Sequence, residues 1–305
     1  VVNLALRALL AGELKQQVQQ FWPLRSTPAP DLPSAALVLT SLRLEVRTTG
    51  ITYCSSLCQK LMATCAPGEV ARLRMALVQQ LTERTADPSP TVPSPTVPSP
   101  TLSSEDLATA LWSWIQVEAH PSGLLKFSLA APGVLLWLQY WNQQPADQVT
   151  AALAEELISV NMDKFSSSTA RRLQMHPIVL LQYLYARCYQ LRQVNCQENL
   201  GPGAAKPSSL AREPRQQEEI HLHQADWAVL QRLIHLVDHL ETTSLQPEGL
   251  WQLALGLAEA TDSWLGEWPA TSFACPNQWM ILSGIEQALF CLIKHKLGQP
   301  LPKGL

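Results

Sequence analysis

The sequence predicts a mainly α-helical protein: a small α+β part on the N-terminal side and an antiparallel helical bundle after it. Three observations carry this expectation. From residue 147 to the end, apolar residues recur at helical spacing almost without a break. Strand-like stretches, 39–47 and 122–129, occur only before that point. Between them stands "PSPTVPSPTVPSPT", a proline repeat that neither helix nor inner strand tolerates. The expected division is an α+β domain over 1–145, with a proline-rich linker or loop at 86–102, and a helical bundle over 146–305.

Composition narrows the function classes. At 305 residues the chain is long enough for one large or two ordinary domains, and 47% hydrophobic residues place it among globular proteins. Charged residues make up only 15%, well under the usual quarter, so the surface leans on Gln, Ser and Thr or is covered by a partner. A net charge of −3 gives no sign of bulk affinity for nucleic acid. Seven scattered cysteines form no disulfide framework, and reduced thiols point to the cytoplasm. The apolar runs 132–141 and 279–293 are too short to cross a membrane or carry Glu286, and no secretory leader is visible after Val1.

The elements follow in order. Residues 1–22 place Leu4, Leu9 and Val18 at helical spacing, and "STPAPDLP" then breaks the chain. "SAALVLTSLRLEVR", 34–47, alternates from Leu39 onward and predicts a half-buried strand. Helices are expected over 51–65 and 68–84. "SSEDLATALWSWIQV" opens with a Ser cap at 103 or 104 and acids in its first turn. "SGLLKFSL" reads as a short strand and "VLLWLQYW", 134–141, as a helix. Further helices are expected near 147–160, 163–172, 176–194, 215–241, 247–266 and 277–297, with a flexible loop at 199–214.

Within "HPIVLLQYLYARCYQLRQV", 176–194, the stripe Leu181, Leu184, Cys188 and Leu191 faces a core, while Gln182, Tyr189 and Gln193 fall on the far side. Pro177 suits a first turn. The order Pro177, Gln182-Tyr183, Ala186-Arg187 resembles the "P…QYAHAR" helix of the DALR anticodon-binding domain of arginyl-tRNA synthetases. "LWQLALGLAEATDSWLGEW", 250–268, resembles the penultimate helix of that family. "GIEQALFCLIKHKLGQPLPKGL" resembles its closing helix and terminus, with Leu305 where the family ends in Met. "VEAHPSGLLKFSL" followed by "WLQYW" resembles the N-terminal additional domain of the same enzymes, which packs on the tRNA elbow. The resemblance implies tRNA as the partner, tRNA-Arg by family, or a protein that handles tRNA. It implies contacts at Gln182, Tyr183, Arg187, Tyr189 and Leu305.

The catalytic domain of those enzymes has no counterpart: Trp141 and Thr150 are nearly adjacent, and no "HIGH"-like, "KMSK"-like or phosphate-cradling glycine motif occurs. "GPGAAKP" at 201 leads into Pro and Ser, so it is a loop. No cofactor is expected. His235 and His239, an i, i+4 pair around Asp238, lack a third zinc ligand and read as a solvated or cross-helix pair, so no metal is expected. Cys54, Cys58 and Cys65 read as core thiols along one helical face with Leu61. Arg187 reads either as an RNA contact or as a guanidinium satisfied within the fold. Tryptophans 112, 137, 251, 264 and 279 sit in apolar runs and read as core rather than as RNA-stacking groups.

Residues 150–305 carry 12 Lys and Arg against 15 Asp and Glu, so RNA affinity has to come from local cations. The candidates are Arg171-Arg172 and Lys294-His295-Lys296 with Lys303. The expected function is a non-catalytic tRNA-binding accessory. The alternatives are a protein–protein scaffold on the same fold, or an arginine–tRNA ligase by family label only. The proline repeat has too little apolar content to offset its ordering entropy. Deleting 88–100 is therefore expected to leave the thermal midpoint nearly unchanged, as read by circular dichroism; a large drop would show that the repeat packs on a domain.

Overall fold

The structure is a computed structural model and describes residues 5–21, 34–45, 49–62, 67–86, 104–120, 122–144, 176–199, 222–240, 247–267, 276–297 and 301. It is mostly helical with one small antiparallel sheet, as the sequence predicts. The proline repeat, the helices expected at 147–160 and 163–172, the loop 199–214, Arg171, Arg172, Lys303 and Leu305 lie outside the described residues. Contacts divide the chain into a unit built on Asn3–Pro93 and Ser99–Trp137 and a unit built on Leu138–Leu305.

The first unit holds α1 (Leu6–Phe21), α2 (Ala35–Ser41), β1 (Leu42–Glu45), β2 (Ile51–Ser55), α3 (Leu57–Met62), α4 (Pro67–Ala86), α5 (Ser104–Trp112), β3 (Ile115–Ala119), β4 (Leu125–Leu129) and the start of α6 (Ala131–Gln143). The strands are ordered β1-β2-β4-β3, each antiparallel to its neighbours. Alternation sets the buried face: Ile51 and Tyr53, then Leu125, Phe127 and Leu129, then Ile115 and Val117. Trp112 meets Phe127 edge-on at 6.1 Å. Gly50 and Gly123 stand in the two hairpin connections at φ +84° and +87°, where a side chain would be strained.

Three expectations fail in this unit. Residues 34–47 are not one strand. Ser34 accepts a 3.1 Å hydrogen bond from the Leu37 amide and caps α2, and the strand begins only at Leu42. The helix expected over 51–65 is the inner strand β2 followed by the short α3. Because Thr52 on the second face is buried as well as Ile51, Tyr53 and Ser55 on the first, β2 has no clean period-two signal. Cys54 and Cys58 therefore do not share a helix face: Cys54 lies in β2, its thiol toward Glu45 at 3.3 Å, and Cys58 is buried in α3. β3 was hidden at the tail of the segment that opens α5, where "IQV" continues an apolar run.

The second unit contains the end of α6, α7 (Pro177–Asn199), α8 (Gln224–Leu240), α9 (Pro247–Gly266) and α10 (Pro276–Cys291), which runs into a π-helical turn, Leu292–Lys296. α8 and α9 run in opposite directions. Asp226 near the start of α8 accepts the Trp264 indole N–H at 2.8 Å near the end of α9, and Arg232 further along α8 lies over Gly256, earlier in α9. The same carboxylate accepts the His223 amide at 2.8 Å, which caps α8. Trp251 and Trp264 are core residues, as are Trp112 and Trp137 in the first unit, while Trp279 is half-buried.

α10 crosses α6 and α8 at Gly284. A Cβ there would stand 2.6 Å from Leu138 Cδ1 and 3.2 Å from Leu233 Cδ2. The close approach lets the Trp141 indole donate to the Gly284 carbonyl at 3.3 Å and the Asn142 amide to the Met280 carbonyl at 3.0 Å. Gln287 returns the favour, donating to the carbonyls of Trp141 and Gln144, both at 3.1 Å, where α6 ends. Gly284→Ala is expected to cost about 1–3 kcal/mol in urea unfolding, the range for overpacking. Gly256→Ala, where the nearest atom to the new Cβ is 3.5 Å away, is expected to gain up to about 1 kcal/mol from helix propensity. Equal midpoints for the two variants would refute a tight crossing.

Candidate nucleic-acid interface

α7 begins at Pro177 and buries Leu180, Leu181, Leu184 and Cys188 completely, so one stripe is committed to the core, while Leu191, expected in that stripe, is half-buried. The remaining flanks present the candidate residues. On one flank Tyr185 and Tyr189, one turn apart, stack with centroids 6.3 Å apart and planes at 26°. Tyr185 also meets Phe290 of α10 at 6.3 Å and 44°. Lys294, in the π-helical turn, holds its ammonium 5.0 Å from the centroid of the Phe290 ring. The result is a continuous strip, Tyr189–Tyr185–Phe290–Lys294. Tyr189 is 39% exposed at one end and Lys294 is exposed at the other.

The two arginines of α7 are each held by an acid from a neighbouring helix. Arg187 Nη1 lies 3.6 Å from Asp262 Oδ1 of α9. Arg192 Nε lies 3.0 Å from Glu286 Oε2 of α10. In both pairs the acid is the buried partner, with side chains 10% and 8% exposed against 36% and 43% for the arginines. Glu286 Oε2 makes no hydrogen bond in spite of the short separation, so the contact is an ion pair off the N–H direction.

Burial also sets the titration of this region. Desolvation pushes the Glu286 carboxyl up from the ordinary Glu range, and the Arg192 charge opposes it. The Tyr185 phenol is raised first by burial, then by Glu286 and Tyr189, with Arg192 acting the other way. Burial pushes the thiols of Cys188 and Cys291 up to about 12 and that of Cys58 up to about 11. None of the three is a ready thiolate nucleophile at neutral pH.

Of the residues singled out from sequence, Gln182, Tyr183, Arg187 and Tyr189 all lie on α7, and Lys294 and Lys296 lie in the turn after α10. The fold joins Tyr189 to Lys294 through Tyr185 and Phe290. It sets Arg187 apart, against α9. Gln182 and Tyr183 are half-buried. Sequence reasoning missed Tyr185 and Phe290 as the middle of the strip, and Arg192 with Glu286. The spacing Glu286, Phe290, Lys294 was visible as i, i+4, i+8, but the helix facing it was not. His235 and His239 place their rings 4.8 Å apart, and among the described residues no three metal-ligating side chains gather.

A carboxyl whose folded pKa is raised contributes stability that is present below the ordinary Glu range and is lost as pH rises through the folded value. Ionised Glu286 therefore costs stability at neutral pH. Glu286→Gln is expected to hold or raise the thermal midpoint at neutral pH and to flatten its fall as pH rises above the ordinary glutamate range. Arg192→Gln is expected to lower the neutral midpoint by about 1–2 kcal/mol equivalent, less than for a sealed pair because Arg192 is partly solvated. A lower midpoint for Glu286→Gln than for Arg192→Gln would reverse this assignment.

No family model matches the chain, and no curated protein or solved structure does either.

Proposed function

We propose that the helical unit is a non-catalytic tRNA-binding module related to the anticodon-binding part of arginyl-tRNA synthetase, serving as an accessory in the handling of tRNA-Arg. The observation that supports this most is the strip Tyr189–Tyr185–Phe290–Lys294. It lies on the helix whose residues carry the family resemblance, and it combines ring faces with a cation, the pairing that unpaired bases and their phosphates use. The module acts in the cytoplasm, with tRNA or a tRNA-handling protein as its partner. No described helix is long and apolar enough to cross a membrane.

One observation favours a second reading, a protein scaffold that keeps the bundle without RNA. Both α7 arginines are already compensated by Asp262 and Glu286, which leaves that surface short of free positive charge.

Filter binding of tRNA at two salt concentrations separates the two readings. Tyr189→Ala is expected to lose about 1–3 kcal/mol of binding with an unchanged salt slope, since a stacking face is removed and no charge is lost. Changing Arg171, Arg172, Lys294 and Lys296 to Ala together is expected to weaken binding and flatten the slope, because fewer counterions are released. Gln182→Ala is expected to weaken binding modestly at constant slope. Equal, unsaturable retention of tRNA by the parent and all variants would remove the RNA reading and leave the scaffold.

A further inference from the structure

We propose that Glu286 gates the charge of the aromatic strip: while ionised it holds Arg192 in the seam between α7 and α10, and on protonation it releases the guanidinium to a phosphate of RNA lying on the strip. The proposal rests on the RNA reading above and adds a regulating group to the same surface.

The geometry behind it is specific. α7 and α10 run antiparallel along this seam, since Tyr185 meets Phe290 while Arg192, further along α7, meets Glu286, earlier in α10. Arg192 therefore lies two turns along α7 from the tyrosine that anchors the strip and less than one turn from Tyr189. Its side chain is long and 43% exposed, so it can turn from the seam to solvent without unpacking the core. Glu286 is enclosed: its residue is 6% exposed, and its buried Oε2 makes the ion pair and no hydrogen bond. The mobile partner is the cation and the fixed partner is the acid, so loss of the acid's charge is felt as release of the arginine.

The surroundings leave little else to compensate Glu286. Among the described residues Arg192 is the one charge whose field acts on it. From α7, the Tyr185 phenol and Cys188 thiol face it and feel its charge, and both are neutral at the pH concerned. Lys294, in the π-helical turn that follows α10, sits over Phe290. From α6 and α8, the contacts around the same helix are Trp141, Asn142, Leu138 and Leu233, none of them charged. Burial favours the neutral acid, so release falls above the pH at which an ordinary glutamate is protonated.

The consequence runs against the usual expectation for an ion pair. Removing the acid should strengthen RNA binding. One freed guanidinium neutralising one phosphate of single-stranded RNA adds about 0.7 to the salt slope, which near physiological salt is about three- to fivefold in affinity.

The test uses the full chain and a short RNA stem-loop with an unpaired loop. The first arm follows the Arg192 Nε–H resonance by NMR in an acid titration without RNA, assigned through Arg192→Gln. The expected result is a transition above the ordinary glutamate range that is absent from Glu286→Gln. The second arm measures stem-loop affinity at neutral pH and at about pH 5. Glu286→Gln is expected to bind three- to fivefold tighter than the parent at neutral pH, with a steeper salt slope and no further gain in acid. Adding Arg192→Gln to Glu286→Gln is expected to take that gain back. A resonance that ignores pH overturns the latch whatever RNA does. A resonance that responds, with RNA bound no tighter by Glu286→Gln, overturns the gate. A responding resonance with no saturable binding by any variant overturns the RNA reading and the gate with it, and the moving resonance tells that failure from the first.

Discussion

α10 can run where it does only because Gly284 has no side chain. Leu138 and Leu233 occupy the space a Cβ would need, so α6, α8 and α10 meet at one point. That approach brings the α10 backbone within reach of Trp141 and Asn142, and it lets Gln287 satisfy the carbonyls at which α6 ends. With α10 held there, its other face is set against α7, and Glu286, Phe290 and Lys294 become a row opposite Tyr185 and Arg192. Asp226 gives a second fixed point by tying α8 to α9 through the Trp264 indole.

The surface that results is aromatic in the middle and electrically balanced at the sides. This balance explains how a helix bearing two arginines can belong to a chain with a net charge of −3. Each arginine is compensated by a carboxylate that is itself buried, so the positive charge of α7 is held in reserve. A buried acid facing a solvated base is an unequal pair: the acid carries the desolvation cost and the base keeps its freedom. Such a pair contributes little net stability, but it fixes where a cation stands.

Legibility in the sequence varied with the kind of element. The helices of the second unit were legible because a one-sided apolar stripe at helical spacing has one physical solution, and α9 was bounded correctly by Pro247 and Gly266. The sheet was less legible. β4 alternates buried and half-buried residues and was recognised, whereas β2 is buried on both faces, which erases the alternation. α2 was missed because the alternation read from Leu39 onward belongs to the strand that begins at Leu42, and only the cap at Ser34 marks the helix before it. The candidate site divides in the same way. Tyr189 was named through the resemblance carried by its helix, and Lys294 as a local cation. Tyr185, Phe290, Arg192 and Glu286 act through partners on another helix, and no local pattern marks a partner about a hundred residues away in the chain.

The sequence by itself determined the mainly helical class, the core stripe of α7 and the shortage of charge that makes any anion site local. These are properties of short windows or of composition, where hydrophobic periodicity and counting suffice. Only the tertiary structure decided that Tyr189 and Lys294 belong to one strip, that Arg187 is paired with α9 instead, and that Arg192 is held by a buried acid. Those facts depend on which helix faces which and on the closest distance at which they can pack, and here that distance is set by a missing side chain at Gly284.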